Sequence, residues 1–186
     1  MTQKKSIAIS ACLLGHKVRY EGAHQGNKII IQRLVDRFNI TAVCPEVEIG
    51  LGGCPRIEAV VGSLFLDSLL GVPREKIELH QQGTKIDLLT SIHPVTDLIE
   101  QMNTYAQMFL SSHKISGMIL KDKSPGCGVA NCKQWNAAGE MQHNGTGIFA
   151  ATLTKLKPDL PMLQSNLVSK VNDLDDFIQK VTDYEY

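Results

Sequence analysis

Cys12, Cys44 and Cys127 each fall at the end of, or just behind, a short β-prone apolar run, at residues 6–10, 40–44 and 116–121. If those runs are parallel strands, their carboxyl ends share one edge of a sheet. Cysteines far apart in sequence would then meet where open α/β sheets bind ligands. None of the three belongs to a local CxxC pair, which argues against a zinc ribbon or finger. The CxxxCxxC pattern of radical enzymes is also absent. Three thiolates suit a soft metal or an iron–sulfur cluster. A cubane cluster held by only three cysteines leaves one iron open to a substrate atom, as in catalytic metal sites. The same positions equally suit small buried apolar residues, the ordinary use of a free cysteine.

The neighbours of two cysteines add chemistry. Cys44-Pro45-Glu46 sets a carboxylate two residues from a thiol, with Glu48 close behind. Ser124-Pro125-Gly126-Cys127-Gly128 sets a hydroxyl three residues before a thiol in a sharply turning loop. Glycines on both sides of Cys127 let the backbone approach a bulky group. A carboxylate and a hydroxyl beside an open metal position could handle protons. Taken singly, Glu46 reads as a solvated loop charge and Ser124 as a turn residue. Lys121 and Lys123 flank this loop and could attract a phosphate, or simply be solvated. Arg19 and Tyr20 lie near Cys12 and could pair with or stack on a base. His16, His24 and His143 fall in loops without paired spacing, and Trp135 reads as packing.

The elements that must position these residues follow from hydrophobic periodicity. Residues 6–10 form a first strand, 28–38 a helix and 40–44 a second strand, which makes a βαβ unit. Residues 46–53 read as a glycine-rich loop, and 57–70 as strand, helix or both. Residues 76–80 form a strand with Gly83 in the turn after it. Helices are expected at 95–112, 147–157 and 173–182, the last with Asp173 as N-cap. Residues 160–163 form an edge strand. The alternation gives an α/β layered fold with a parallel sheet in a single domain, 1–186.

With 186 residues, 43% hydrophobic and 20% charged, the chain can bury a core without staples. Lys plus Arg is 19 and Asp plus Glu is 19, so no net charge draws it to nucleic acid or membrane. The apolar run near the start is too short for a signal-peptide core or a membrane span. The chain is therefore read as cytoplasmic. Five cysteines in a reducing compartment are not expected to form disulfides.

Three blocks resemble the thiouracil desulfidase (TudS) family, earlier a bacterial domain of unknown function. They are Ser10-Ala11-Cys12-Leu13-Leu14-Gly15, Val43-Cys44-Pro45-Glu46-Val47 and Ser124-Pro125-Gly126-Cys127-Gly128, each with its flanking residues. The resemblance runs along nearly the whole chain. It implies a Rossmann-like three-layer α/β domain with a mainly parallel sheet, and a 4Fe-4S cluster on Cys12, Cys44 and Cys127. It also implies a catalytic Glu46 and Ser124, with Glu48 a neighbouring candidate for the carboxylate. The implied reaction is hydrolytic: the open iron, a Lewis acid, takes the sulfur of thiouracil, thiouridine or a thiouridine nucleotide. Water replaces that sulfur, leaving the oxo base and sulfide.

The sequence departs from the family pattern after Gly50-Leu51-Gly52. A Pro-Arg pair occurs at Pro55-Arg56 and again at Pro73-Arg74, so residues 53–71 read as an insertion. Cys54 and Cys132, the latter in a loop, match no family ligand and are read as structural. Three alternatives remain at this point: a non-catalytic iron–sulfur sensor or carrier, a cluster-free thiol enzyme with one reactive cysteine, and a tRNA thiouridine desulfidase working with a separate RNA-binding partner. Zero net charge and a chain ending without a second domain favour a small-molecule substrate.

Overall fold

The structure is a computed structural model describing residues 4–51, 76–90 and 98–185. Along the chain it contains β1 (Ser6–Ser10), a 3-10 turn (Ala11–Leu14), α1 (Lys28–Leu34), β2 (Asn39–Val43), a wide turn (Val47–Leu51), β3 (Ile77–Gln82) and β4 (Lys85–Thr90). There follow α2 (Leu98–Ser112), β5 (Gly117–Leu120), β6 (Cys132–Trp135), β7 (Met141–Gly145), α3 (Ile148–Leu156), β8 (Met162–Gln164), a second 3-10 turn (Ser165–Leu167) and α4 (Val171–Asp183). Residues 53–71, Cys54 and the ambiguous 57–70 segment lie outside the described residues.

Four strands in the order β2-β1-β5-β8 form a parallel sheet. Alternate side chains point to opposite faces. Ile7, Ile9 and Ile119 join a core layer with Ile30 and Leu34 of α1 and with Leu174, Phe177 and Val181 of α4. Ala8, Met118 and Leu120 join the layer on the other face, with Met102, Ala106 and Phe109 of α2 and Phe149 and Leu153 of α3. Helices therefore cover both faces, the mixed three-layer α/β arrangement the sequence predicts. The 160–163 strand appears as β8, at the edge of this sheet.

Several local readings change. The helix expected over 28–38 ends as a regular helix at Leu34. The Leu34 carbonyl accepts from both Arg37 N and Phe38 N, tightening the last turn and tucking Phe38 into the core. The helix starts at Asn27, whose side chain accepts from Ile29 N at 3.0 Å and Ile30 N at 3.3 Å. In α4 the N-cap is Lys170 rather than Asp173. Asp173 instead sits in the first turn, where a carboxylate complements the helix dipole. The part of α2 expected before Leu98 is outside the described residues.

A second sheet, in the order β4-β3-β6-β7, was only partly visible in the sequence. β3 and its Gly83 turn were expected, and they lead into the antiparallel partner β4. The β6 and β7 strands were read as loop. They are short and polar, and the inward residues Cys132, Gln134 and Gly145 give no hydrophobic alternation. Their hairpin is closed by Asn136, whose Oδ1 accepts from Ala138 N at 3.0 Å and Glu140 N at 2.8 Å. Cys132 thus begins a strand, fully buried, and His143 lies within β7. Ile77, Leu79 and Leu88 of this sheet share the core layer of α2 and α3.

A Cβ on Gly117 in β5 would lie 2.5 Å from Cγ2 of buried Val181 and 3.2 Å from the Phe177 ring. Gly117→Ala is therefore expected to lower stability by about 1–3 kcal/mol through overpacking. Urea denaturation of the cluster-free protein reads this as a lower midpoint with an unchanged slope.

Candidate active site

The parallel sheet brings the three cysteines together. Cys12 sits in the 3-10 turn directly after β1, Cys44 directly after β2, and Cys127 in the loop after β5. All three are buried, and together they line one small cavity with Ser10, Glu46, Lys121 and Ser124. No disulfide joins them. Among the described residues, no three His, Cys, Asp or Glu groups converge closely enough to hold a single metal ion. Three buried thiols on the walls of one cavity form a soft donor set, which suits an iron–sulfur group.

Burial pushes the Cys12 thiol up from 9.0 to about 12, and Cys127 adds to the shift against the cations Arg19 and Lys121. A bound metal reverses this preference, because it takes the thiolate and releases the proton.

Glu46 is buried at 5% exposure, and its Oε1 accepts the Ser124 hydroxyl at 2.8 Å. The same hydroxyl oxygen accepts Cys127 N at 3.2 Å. One side chain therefore ties the carboxylate to the backbone of the Cys127 loop. Glu48 is only half-buried and contributes its charge at Tyr105, where burial is the larger cause of a raised phenol pKa. Glu46, not Glu48, is thus the carboxylate on the cysteine cavity.

The loop itself is fixed by close backbone approaches. A Cβ on Gly126 would fall 2.5 Å from Glu46 Oε1, and one on Gly128 would fall 2.4 Å from Cys132 Sγ. Cys132 donates from beneath to the Ser124 carbonyl at 3.1 Å. Burial, then Cys127, pushes the Cys132 thiol up from 9.0 to about 11, which keeps it a donor. The first amides of α3 are taken by the loop: Ile148 N donates to Pro125 O at 3.1 Å and Phe149 N to Gly126 O at 2.9 Å.

A larger cavity of about 380 Å³ adjoins the cysteines and shares Arg19, Glu46, Lys121 and Ser124 with theirs. Arg19 lies over the Tyr20 ring at 5.7 Å, and both line this cavity. Lys121 pairs with Asp122 at 2.7 Å. Burial would raise the Asp122 pKa, but Lys121 and Ser165 hold it below the usual carboxylate range. Lys123, with a left-handed φ of 59°, and Lys133 are exposed and make no ion pair among the described residues. The second sheet supplies the far wall, including Glu78, Trp135 and Met141. The Trp135 indole donates to Glu78 Oε2 at 3.2 Å and stacks on His80. Sequence reading took Trp135 for packing and passed over Lys133, because the strand that presents them was not legible. The available signal was a lone tryptophan two residues after a lysine in an otherwise polar run.

A family model described as 2-thiouracil desulfurase matches residues 7–63 and 66–165. The chain belongs to the 2-thiouracil desulfurase family. It is 30% identical over 150 residues to the uncharacterised protein YbbK of Bacillus subtilis, which covers 79% of this chain and 88% of that one. Among solved structures it resembles the [4Fe-4S]-dependent thiouracil desulfidase TudS, with a TM-score of 0.61 and 25% identity. That likeness covers 93% of this chain and 99% of the other. The family assignment spans all three cysteine blocks as well as Glu46 and Ser124.

Two outcomes follow from this geometry. Gly126→Ala leaves the fold intact but displaces the Glu46 carboxylate, so the Glu46–Ser124 hydrogen bond is lost; a crystal structure of the variant reads this directly. For Cys12 the folded-state pKa is raised, so its contribution to stability is full below the unfolded value near 9.0 and lost as the pH rises toward about 12. Cluster-free protein should therefore weaken in urea between pH 9 and pH 12, and Cys12→Ala should show a shallower decline.

Proposed function

We propose that this chain is a desulfidase that holds a 4Fe-4S cluster on Cys12, Cys44 and Cys127 and exchanges the sulfur of a thiolated uracil compound for oxygen. The observation that carries the reading is the meeting of three buried thiols with the Glu46–Ser124 pair on the walls of one cavity. The cluster-dependent thiouracil desulfidase whose fold this chain shares supports the choice of cofactor. The bound cluster supplies a Lewis-acidic iron without a protein ligand, able to bind the substrate sulfur.

The chain's own groups supply the rest. Replacing a thiocarbonyl sulfur by oxygen consumes one water and releases sulfide, with no net electron transfer. Protons must leave the water and reach the departing sulfide. Glu46 is the buried acceptor at this point, and Ser124 is its hydrogen-bonded relay. Gly126 lets the carboxylate lie against the loop instead of in solvent. Arg19 and Tyr20 offer a planar cation and ring beside the site, which suits a pyrimidine.

The substrate is thiouracil, thiouridine or a thiouridine nucleotide. The size of the adjoining cavity accommodates more than a bare base, and Lys123 and Lys133, which make no ion pair among the described residues, offer charge to a phosphate. The protein is expected to act in the cytoplasm on a small molecule rather than on tRNA.

Anaerobic reconstitution with iron and sulfide, followed by assay of sulfide release from 2-thiouracil and 4-thiouridine monophosphate, tests the reading. Brown, active protein is expected, with iron binding lost in Cys12→Ala, Cys44→Ala and Cys127→Ala. Glu46→Gln and Ser124→Ala should retain the colour and lose activity by roughly 10²–10⁴-fold. Wild-type protein that takes up no iron would overturn the assignment.

A further inference from the structure

We infer that Ser10 is a positioning residue whose hydroxyl donates a hydrogen bond to the sulfur of Cys127 and thereby tunes the cluster. The inference rests on the proposed ligand role of Cys127. Ser10 closes β1 two residues before Cys12 and is buried at 2% exposure. Its Oγ lies 3.5 Å from Cys127 Sγ and accepts Lys121 N at 2.9 Å. A hydroxyl has one proton and two lone pairs. The Lys121 amide occupies a lone pair, and among the described residues the only other partner is Cys127 Sγ.

The direction of that bond follows from the ligand state. A cysteine sulfur bound to iron carries no proton, so it can only accept. The Ser10 proton must then point at the sulfur. The arrangement is imposed by strand pairing, because β1 and β5 run side by side in register from Ile7 opposite Gly117 to Ile9 opposite Ile119. That register sets Ser10 beside the chain as it leaves β5, where Lys121 N is within reach. Cys127 is consequently gripped twice: its amide by Ser124 Oγ and its sulfur by Ser10 Oγ.

A hydrogen bond to a ligand thiolate draws electron density from the sulfur. It raises the cluster's reduction potential and keeps the irons more Lewis-acidic. The potential serves here only as a probe, since the proposed reaction transfers no net electrons. A merely structural serine, holding Lys121 N alone, would change thermal stability on removal but leave the potential where it is.

Ser10→Thr and Ser10→Val have the same shape and differ in the hydroxyl. After anaerobic reconstitution, iron content and the midpoint potential of each loaded protein are measured by spectroelectrochemistry. Ser10→Thr is expected to match wild type. Ser10→Val is expected to shift to a more negative potential, with kcat lower by on the order of tenfold and KM unchanged. Should the added methyl prevent either variant from folding, Ser10→Ala against wild type supplies the hydroxyl-free comparison. Loaded Ser10→Val or Ser10→Ala with the wild-type potential would overturn the role of Ser10 while leaving the cluster in place. A wild-type protein that binds no iron would instead remove the cluster reading itself.

Discussion

The site depends on a stretch of backbone with no room for side chains. At Gly126, Gly128 and Gly147 an added Cβ would meet Glu46, Cys132 Sγ and the Gly126 carbonyl at 2.5, 2.4 and 2.6 Å. The last of these is a backbone contact, which cannot swing aside as a side chain can. The loop is therefore wedged between a carboxylate above, a thiol below and the start of α3 behind. Its carbonyls also satisfy helix amides that would otherwise lack partners. Cys127 is thus held by the loop's own packing, which is the preorganisation its proposed ligand role requires.

The two sheets divide the work. The parallel sheet delivers thiols from three strand ends to one edge, as the geometry of parallel strands dictates. The second sheet contributes no cysteine to that cavity; it presents Glu78, Trp135 and Met141 across the larger space. One part of the fold fixes the chemistry, and the other shapes what reaches it. Arg19, Glu46, Lys121 and Ser124 border both spaces and link the two functions. Lys121 is partly neutralised by Asp122, so the cation near the thiols is modest in effect, and burial still dominates Cys12.

How legible each part was in the sequence follows from how much each residue's signal owes to its neighbours. β1 and β5 are apolar runs buried on both sides, and such runs stand out without further context; β2 is a partly buried edge strand, marked by its β-prone residues and by Pro45 behind it. Cys12 and Cys44 follow β1 and β2 closely and Cys127 lies in the loop after β5, so the convergence of the three could be anticipated from strand direction alone. The glycines around Cys127 pointed to close approach, though not to Glu46 as the group approached. Ser10 is different. Its importance comes from a residue 117 positions away, and nothing local distinguishes it from any serine at a strand end. The β6–β7 hairpin hid for a related reason. Only one face meets the core, and it does so with Cys132, Gln134 and Gly145, none of which announces a strand. Asp173 failed as a cap because the helix starts earlier, at a position where Lys170 provides no side-chain bond.

The hydrogen-bond directions around Cys127 carry the chemistry further than proximity does. Ser124 has one proton, and it goes to Glu46; its oxygen faces the Cys127 amide. Ser10 has its oxygen engaged by Lys121 N, and in the proposed ligand state of Cys127 its one proton is left for the sulfur. Two serines, Ser10 buried and Ser124 half-buried, thus serve opposite ends of one residue with opposite polarity. Ser124 couples the loop to a proton acceptor, while Ser10 couples the sulfur to a proton donor. A loop that merely housed a cysteine would need neither. A loop that holds a metal-bound sulfur beside a group exchanging protons, the roles proposed for Cys127 and Glu46, needs both and needs them to remain distinct. The separation is enforced by the fold, because Ser10 belongs to β1 and Ser124 to the turn after β5, so neither hydroxyl can take over the other's partner.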